Sequence, residues 1–374
     1  MAVPEGQAVL SPRAMAADMT RRDYGLTGRD GALAQEKGLA NAQWYVCALP
    51  RERLKALMRR RDGPAIRDTL IWFAALIATG GLGWYFWGDW RAVPFFAVYG
   101  VLYGSAADSR WHECSHGTAF RTRWLNDAVY GIASFMMLRE PTVWRWSHAR
   151  HHTDTLIVGR DPEILASRPP DFPALLLNLF ALKSGVLTLG RLTQHATGRL
   201  TADEATFIPP TERRKVYWTA RAWIVVLAGI AIWCVAIGSI LPAMLIGLPT
   251  FYGTWLHLVL ALTQHAGLAE DVLDHRLNSR TVYMNPVLRF LYWNMNYHIE
   301  HHIFPMVPYH ALPALHRELK ADMPPAYDGL LEAYREIIPA LLRQARDPGY
   351  HVQRPLPPFA RSSAAPLAAA TGAA

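Results

Sequence analysis

The stretch Thr69–Gly88 reads TLIWFAALIATGGLGWYFWG and carries no charge. A helix that crosses a bilayer needs about 20 apolar residues, at about 1.5 Å each, to cover roughly 30 Å of hydrocarbon. Three more runs of this kind follow: Val93–Ala107, Ala222–Leu241 and Ala243–Thr263. The second is slightly short and can extend from Trp90 to Trp111. Very short turns join the runs in pairs, at Asp89–Ala92 and at Pro242. The expected architecture is an all-α integral membrane protein with four spans, about 69–88, 92–108, 222–241 and 243–263, arranged as two hairpins. Two other apolar stretches, Trp124–Leu138 and Phe172–Gly190, are interrupted by Asn126, Asp127, Asn178 and Lys183. These are expected to lie at the membrane interface.

Composition agrees with this reading. Apolar residues make up 51% of the 374 and charged residues 18%, which excludes a disordered chain. The net charge of +8 rests on arginine, with 33 Arg against 5 Lys. A basic balance suits either nucleic acid or an anionic membrane surface. Placement decides for the membrane, because among the Lys and Arg residues only Arg91 falls in a turn between paired spans. The positive-inside rule then puts both termini and the loop 108–221 in the cytoplasm, and no nucleic-acid partner is expected. Cys47, Cys114 and Cys234 are far apart and suggest no disulfide framework. Residues 1–40 are small and polar, without the apolar core of a leader, and read as a loose tail. Residues 346–374 are Pro/Ala-rich and are expected to be disordered, leaving 41–345 as the membrane domain.

Eight of the 15 histidines fall into three tight clusters. These are His112-Glu113-Cys114-Ser115-His116, His148-Ala149-Arg150-His151-His152 and His298-Ile299-Glu300-His301-His302. Positions three and four apart share one helix face, roughly 5–6 Å between Cβ atoms. Each cluster therefore aims its imidazoles at one point, and imidazole suits Zn, Cu, Fe and Ni. Eight nitrogens exceed what one ion takes, so two metals are expected. His112 and His116 follow the second span directly, and His265 follows the fourth, so all nine can cap one end of a helical bundle. His195, His257, His275, His310, His316 and His351 lack such spacing and read as structural.

These boxes resemble the membrane fatty acid desaturase/hydroxylase superfamily in order, type and spacing. The tail Asn296-Tyr297-His298-Ile299-Glu300-His301-His302-Ile303-Phe304-Pro305 and the segment Leu312-Pro313-Ala314-Leu315-His316 carry the resemblance most specifically. It covers roughly residues 69–320. The stretch HARHHTDTLIVGRDPEI (148–164), with Gln264-His265-Ala266-Gly267, is most similar to a bacterial branch that includes the rhizopine-catabolism oxygenases. The resemblance implies a helical cytoplasmic cap holding two iron ions, and a need for O2 and two external electrons per turnover. The implied ligands are His112, His116, His148, His151, His152, His298, His301 and His302, with His265 as the ninth. One position departs from the acyl-CoA desaturases. They carry an Asn four residues before the ninth histidine, where this chain has Ala261.

The implied chemistry is desaturation or hydroxylation of a fatty-acyl or lipid substrate. The alternative is O- or N-demethylation of a small methylated compound, as the rhizopine branch suggests. Glu300, Asp154, Asp161 and Glu163 are candidates to receive the free imidazole N–H groups and fix ring orientation. Cys114-Ser115-His116 imitates half of a Rieske site, but no CxxH follows and no GxGxxG is present. A separate ferredoxin or Rieske-type donor is therefore expected. His112–His116 is also a literal HExxH, the signature of zinc proteases, which leaves two boxes without work. A metal transporter is disfavoured, since transport sites lie near mid-membrane and these histidines lie beyond the helix ends. The Arg-over-Lys bias fits a bacterial inner-membrane protein.

Overall fold

The computed structural model describes residues 22–357. Among these the chain is helical, with two isolated β-bridges (Thr281 to Tyr297 and Val282 to Tyr327) and no extended strand. Two helices are long and apolar enough to cross a membrane, or three if one bent pair is a single span. The first run lies in α1, Asp62–Tyr85, which starts earlier than its apolar stretch. The third lies in α6, Arg213–Ile237. Only Val216 and Ala220 of α6 are buried, while Val225, Ile232 and Val235 are 70%, 69% and 83% exposed. A helix this apolar all round, bare on most of its surface, is matched to lipid rather than to water.

The other two runs differ from expectation. The second forms α2, Ala92–Gly104, and stops there instead of continuing to 108. A 13-residue helix covers only about 20 Å. After Ser105 the chain restarts as α3, Ala106–Ser115. The fourth run, 243–263, is broken into the turn Leu241–Leu245, then α7, Pro249–Tyr252, and α8, Trp255–His265. Gly247 at φ +96°, Pro249 and Gly253 account for the breaks.

Breaks within an apolar run free backbone groups that must find partners inside the protein. Ser105 serves two of them. Its hydroxyl donates to the Gly253 carbonyl at 2.6 Å and accepts from the His257 amide at 2.8 Å. The two broken segments meet along Gly100-Val101-Leu102-Tyr103-Gly104, a small-xxx-small pattern that lets backbones touch. A Cβ on Gly104 would lie 2.6 Å from the Pro249 carbonyl, and one on Gly253 would overlap the Gly100 carbonyl.

The two interrupted apolar stretches form helices. Arg123–Met136, here α4, buries Val129, Tyr130 and Ala133 against α3 and leaves Trp124 68% exposed. Phe172–Asn178 and Leu182–Ala196 meet at 77°, a geometry of a broken span or a re-entrant pair. Their bend is tied by Lys183 to Asp171 at 2.7 Å.

The expected tails need correction where they are described. The described residues begin anchored: Arg22 pairs with Glu270, and the Tyr24 hydroxyl donates to the same carboxylate at 3.0 Å. Near the other end, Arg354 is buried and donates to the carbonyls of Ser279 and Pro325. These ends are held by arginines, one paired with a carboxylate and one with backbone carbonyls, whose worth shows only once the partners meet. Residues 1–21 and 358–374, also read as tail, lie outside the described residues.

Candidate metal centre

Four helical segments carry the nine histidines. His112 lies on α3 and His116 caps it. His148, His151 and His152 lie on α5, Pro141–Asp154. His265 ends α8. His298, His301 and His302 make up half of α9, His298–Ile303. The α5 helix starts on Pro141, and the Glu140 carboxylate accepts from the Val143 amide at 2.7 Å, capping the first turn.

The rings gather into two groups, each with one nitrogen per residue and all within 4.8 Å of one another. The first is His112, His116, His148, His152 and His301; the second is His151, His265, His298 and His302. The two HxxHH boxes therefore do not each aim at one point, as spacing alone suggests. In each box the i,i+4 pair serves one group and the third histidine serves the other. Each HxxHH helix thus bridges the two groups.

The nitrogens make more contacts with one another than their N–H groups can serve. His148 Nε2 lies 3.1 Å from the Nε2 atoms of His112, His116 and His152. His301 Nε2 is 2.8 Å from His112 and 3.1 Å from His152. In the second group His298 Nε2 is 3.0 Å from both His265 and His302. A neutral imidazole has one N–H, and several of these are committed outward. His148 Nδ1 donates to Glu163 at 2.9 Å, and His151 Nδ1 to Asp161 at 2.9 Å. His265 Nδ1 donates to the Asn278 carbonyl at 2.8 Å. The Thr155 hydroxyl gives its proton to the His151 carbonyl and so accepts from His302 Nδ1 at 3.2 Å. The inward nitrogens of these rings are lone pairs facing lone pairs, which a cation between them relieves.

Burial, followed by repulsion from neighbouring imidazoles, holds seven of these rings well below the usual histidine pKa: His112, His116, His152, His265, His298, His301 and His302. They are neutral at physiological pH, the form that binds metal. For His151, burial lowers the pKa but the Asp161 carboxylate outweighs it, so the net shift is upward. That partner also raises the ligand's basicity. The donor set and its geometry fit two imidazole-bound cations.

The four acidic candidates divide evenly. Glu163 and Asp161 lie against imidazole nitrogens. Glu300 and Asp154 do not touch the grouped rings. Glu300 accepts from His316 Nδ1 at 2.5 Å and from the Thr281 hydroxyl at 2.6 Å. Asp154 pairs with Arg160 at 3.1 Å. On a short helix such as α9, the residue between two ligands points the other way, so Glu300 anchors the back of the box. His316, read as structural, is the residue that holds it, and the Tyr283 hydroxyl is 2.9 Å from its Nε2.

The protease reading fails on geometry. Glu113 Oε1 accepts from the Thr118 hydroxyl at 2.7 Å and from the Tyr309 amide at 3.0 Å, turned away from the rings. Burial raises its pKa to about 7. Beside both groups lies a cavity of about 160 Å³, lined in part by His112, His148, His265, His298 and Ala261. Its far wall includes His257, whose Nδ1 is 3.1 Å from Asp108, and Arg139, which pairs with the same carboxylate. Sequence spacing did not single out that triad, because its members come from three separate segments.

The sequence profile described as fatty acid desaturase matches residues 88–333. The chain belongs to the fatty acid desaturase family. A probable fatty acid desaturase of Sorghum bicolor is 26% identical over 297 residues, covering 72% of this chain and 69% of that protein. An endoplasmic-reticulum omega-3 fatty acid desaturase of Nicotiana tabacum is 25% identical and covers 60% and 64%. A chloroplastic sn-2 acyl-lipid omega-3 desaturase (ferredoxin) of Arabidopsis thaliana is 24% identical and covers 66% and 58%. This desaturase-family protein is a membrane-embedded oxidoreductase whose histidine groups are compatible with a metal site.

Proposed function

We propose that this protein is a di-iron enzyme that uses O2 and two external electrons to desaturate or hydroxylate a fatty-acyl chain. The carrying observation is the pair of imidazole groups, five and four strong, joined by two HxxHH helices. When bound, the iron pair supplies O2 reduction and hydrogen abstraction from an unactivated carbon. The chain's own residues hold and tune that pair. Glu163 and Asp161 fix the tautomers of His148 and His151, and Thr155 and Asn278 do the same for His302 and His265. Trp111 and the α8 side chain Leu262 wall the adjoining cavity, excluding bulk water on that side. Placement of the substrate carbon over this wall selects between hydroxylation and loss of a second hydrogen.

A second reading, demethylation of a small methylated compound, is favoured by one feature. The cavity wall carries Asp108, Arg139, His257, Arg168 and Glu270, more charge than a plain acyl chain needs. The test is elemental analysis of detergent-purified protein with product analysis. The expected result is about two irons per chain and a new double bond or hydroxyl in the lipid acyl chains of expressing cells. About one zinc without iron overturns the proposal. Formaldehyde release without acyl products selects the second reading.

We further propose the four-span topology with a cytoplasmic site, the second and fourth spans being the broken ones, and a ferredoxin or Rieske-type donor on the cytoplasmic face. The bent pair then lies in the interface as a re-entrant element. A cysteine reporter tests this. His195 is unsuitable, being 3% exposed and 2.9 Å from Glu204. Arg199, exposed just beyond the same helix, is the better position. Arg199→Cys is expected to react with an impermeant thiol reagent only from the cytoplasmic side. Labelling from outside overturns the topology.

A further inference from the structure

Electrons reach a buried centre by tunnelling, which weakens steeply with every gap not bridged by contact. The route therefore follows close-packed side chains from the surface inward. The most closely stacked such route starts at Trp44. Trp44 sits half-buried at the surface, its indole N–H donating to the Thr153 carbonyl at 2.9 Å. Its ring stacks on His275 with centroids 4.2 Å apart and planes 3° from parallel. His275, 3% exposed, lies against His302 with centroids 4.9 Å apart. His302 is a member of the second imidazole group. The stack is held rigidly: the Tyr45 amide donates to the Leu273 carbonyl at 2.8 Å, and Arg276 sits 3.5 Å over the Tyr45 ring. The segment carrying Trp44 is thereby pinned to the segment carrying His275. Trp111 also touches grouped histidines, His112 and His148, but it is 2% exposed and reaches the half-buried Trp144 only edge-on, with centroids 5.6 Å apart, a looser contact than the parallel Trp44–His275 stack.

We propose that Trp44 and His275 form the electron port of this enzyme, receiving electrons from a one-electron iron–sulfur donor that docks over Trp44. This rests on the di-iron reading. In each encounter the donor's reduced cluster loses one electron and the ferric centre gains it through the Trp44–His275–His302 stack. Two encounters supply one turnover. The transfer makes and breaks no bond and moves no proton. Both residues act through His302 and are positioning residues rather than catalytic ones.

The test does not depend on knowing the natural donor. A ruthenium tris-bipyridine photosensitiser is attached to a cysteine replacing exposed Gln43, in a Cys234→Ala background, since Cys47 and Cys114 are buried. Flash reduction of the ferric centre is followed by absorbance, with iron content measured on the same samples. The expected result is fast injection in the labelled enzyme. Trp44→Leu and His275→Leu slow it by an order of magnitude at unchanged iron content, and His275→Phe, which keeps a ring in the stack, retains most of the rate. Equal rates in all variants at equal iron overturn the port, as does an iron-loaded labelled enzyme that accepts no electrons. A labelled enzyme without iron overturns instead the metal reading beneath it.

Discussion

His301→Ala and His298→Ala are each expected to lower bound iron from about two to about one per chain and to abolish turnover. His301 belongs to the group of five and His298 to the group of four, so the variants empty different halves of the centre. Each removes one inward lone pair from a largely buried set of rings. A graded series locates the effect. Asp161→Asn keeps all nine rings but weakens the partner of His151 Nδ1, and outer partners of this kind typically cost roughly 10–100-fold in affinity or activity. Glu113→Gln is expected to keep its iron, because that carboxylate is bonded to Thr118 and Tyr309 and not to the rings. Elemental analysis of the variants checks the whole series. Full iron in His301→Ala and His298→Ala counts against the grouping, and iron loss in Glu113→Gln would place that carboxylate among the groups that hold the centre.

Gly253→Ala is expected to destabilise the protein by about 3 kcal/mol or more, at the upper end of overpacking costs. The added methyl would overlap the Gly100 carbonyl, and backbone cannot swing aside as a flexible side chain can. The same crossing holds Ser105 against the Gly253 carbonyl and the His257 amide. It therefore sets the position of α8, and with it His265, relative to α3 and His112. Loss of iron from the second group is expected along with the fall in melting temperature in detergent. Gly81→Ala, whose Cβ meets nothing within 4 Å, serves as the control and is expected to shift stability by less than about 1 kcal/mol. Equal melting of Gly253→Ala and wild type would show that the two broken segments do not cross so closely.

These two sites differ in how far the sequence exposes them. The nine histidines are legible because a helix repeats its face every three to four residues, so ligand spacing survives in one dimension. Glu163 and Asp161 are legible for a related reason, lying within fifteen residues of the rings they serve. The Gly100–Gly253 crossing is different. Gly100 and Gly104 form a pattern that is common in membrane helices, and its partner is 153 positions away in the broken fourth run. Apolarity alone reads residues 243–263 as one helix, because hydropathy measures solvent preference and is blind to the backbone break at Gly247 and Pro249.

By itself, the sequence determined that this chain is helical, membrane-embedded and equipped with nine metal-suited imidazoles in the desaturase pattern. Each of these depends on local periodicity or on composition. Only the tertiary structure decided how the imidazoles divide, sending His151 to one group and its neighbours His148 and His152 to the other. It alone turned Glu300 toward His316 and laid Trp44 on His275. Those outcomes depend on the rotation and crossing of helices about one another, set by close packing between residues far apart in the chain, and no local pattern encodes them.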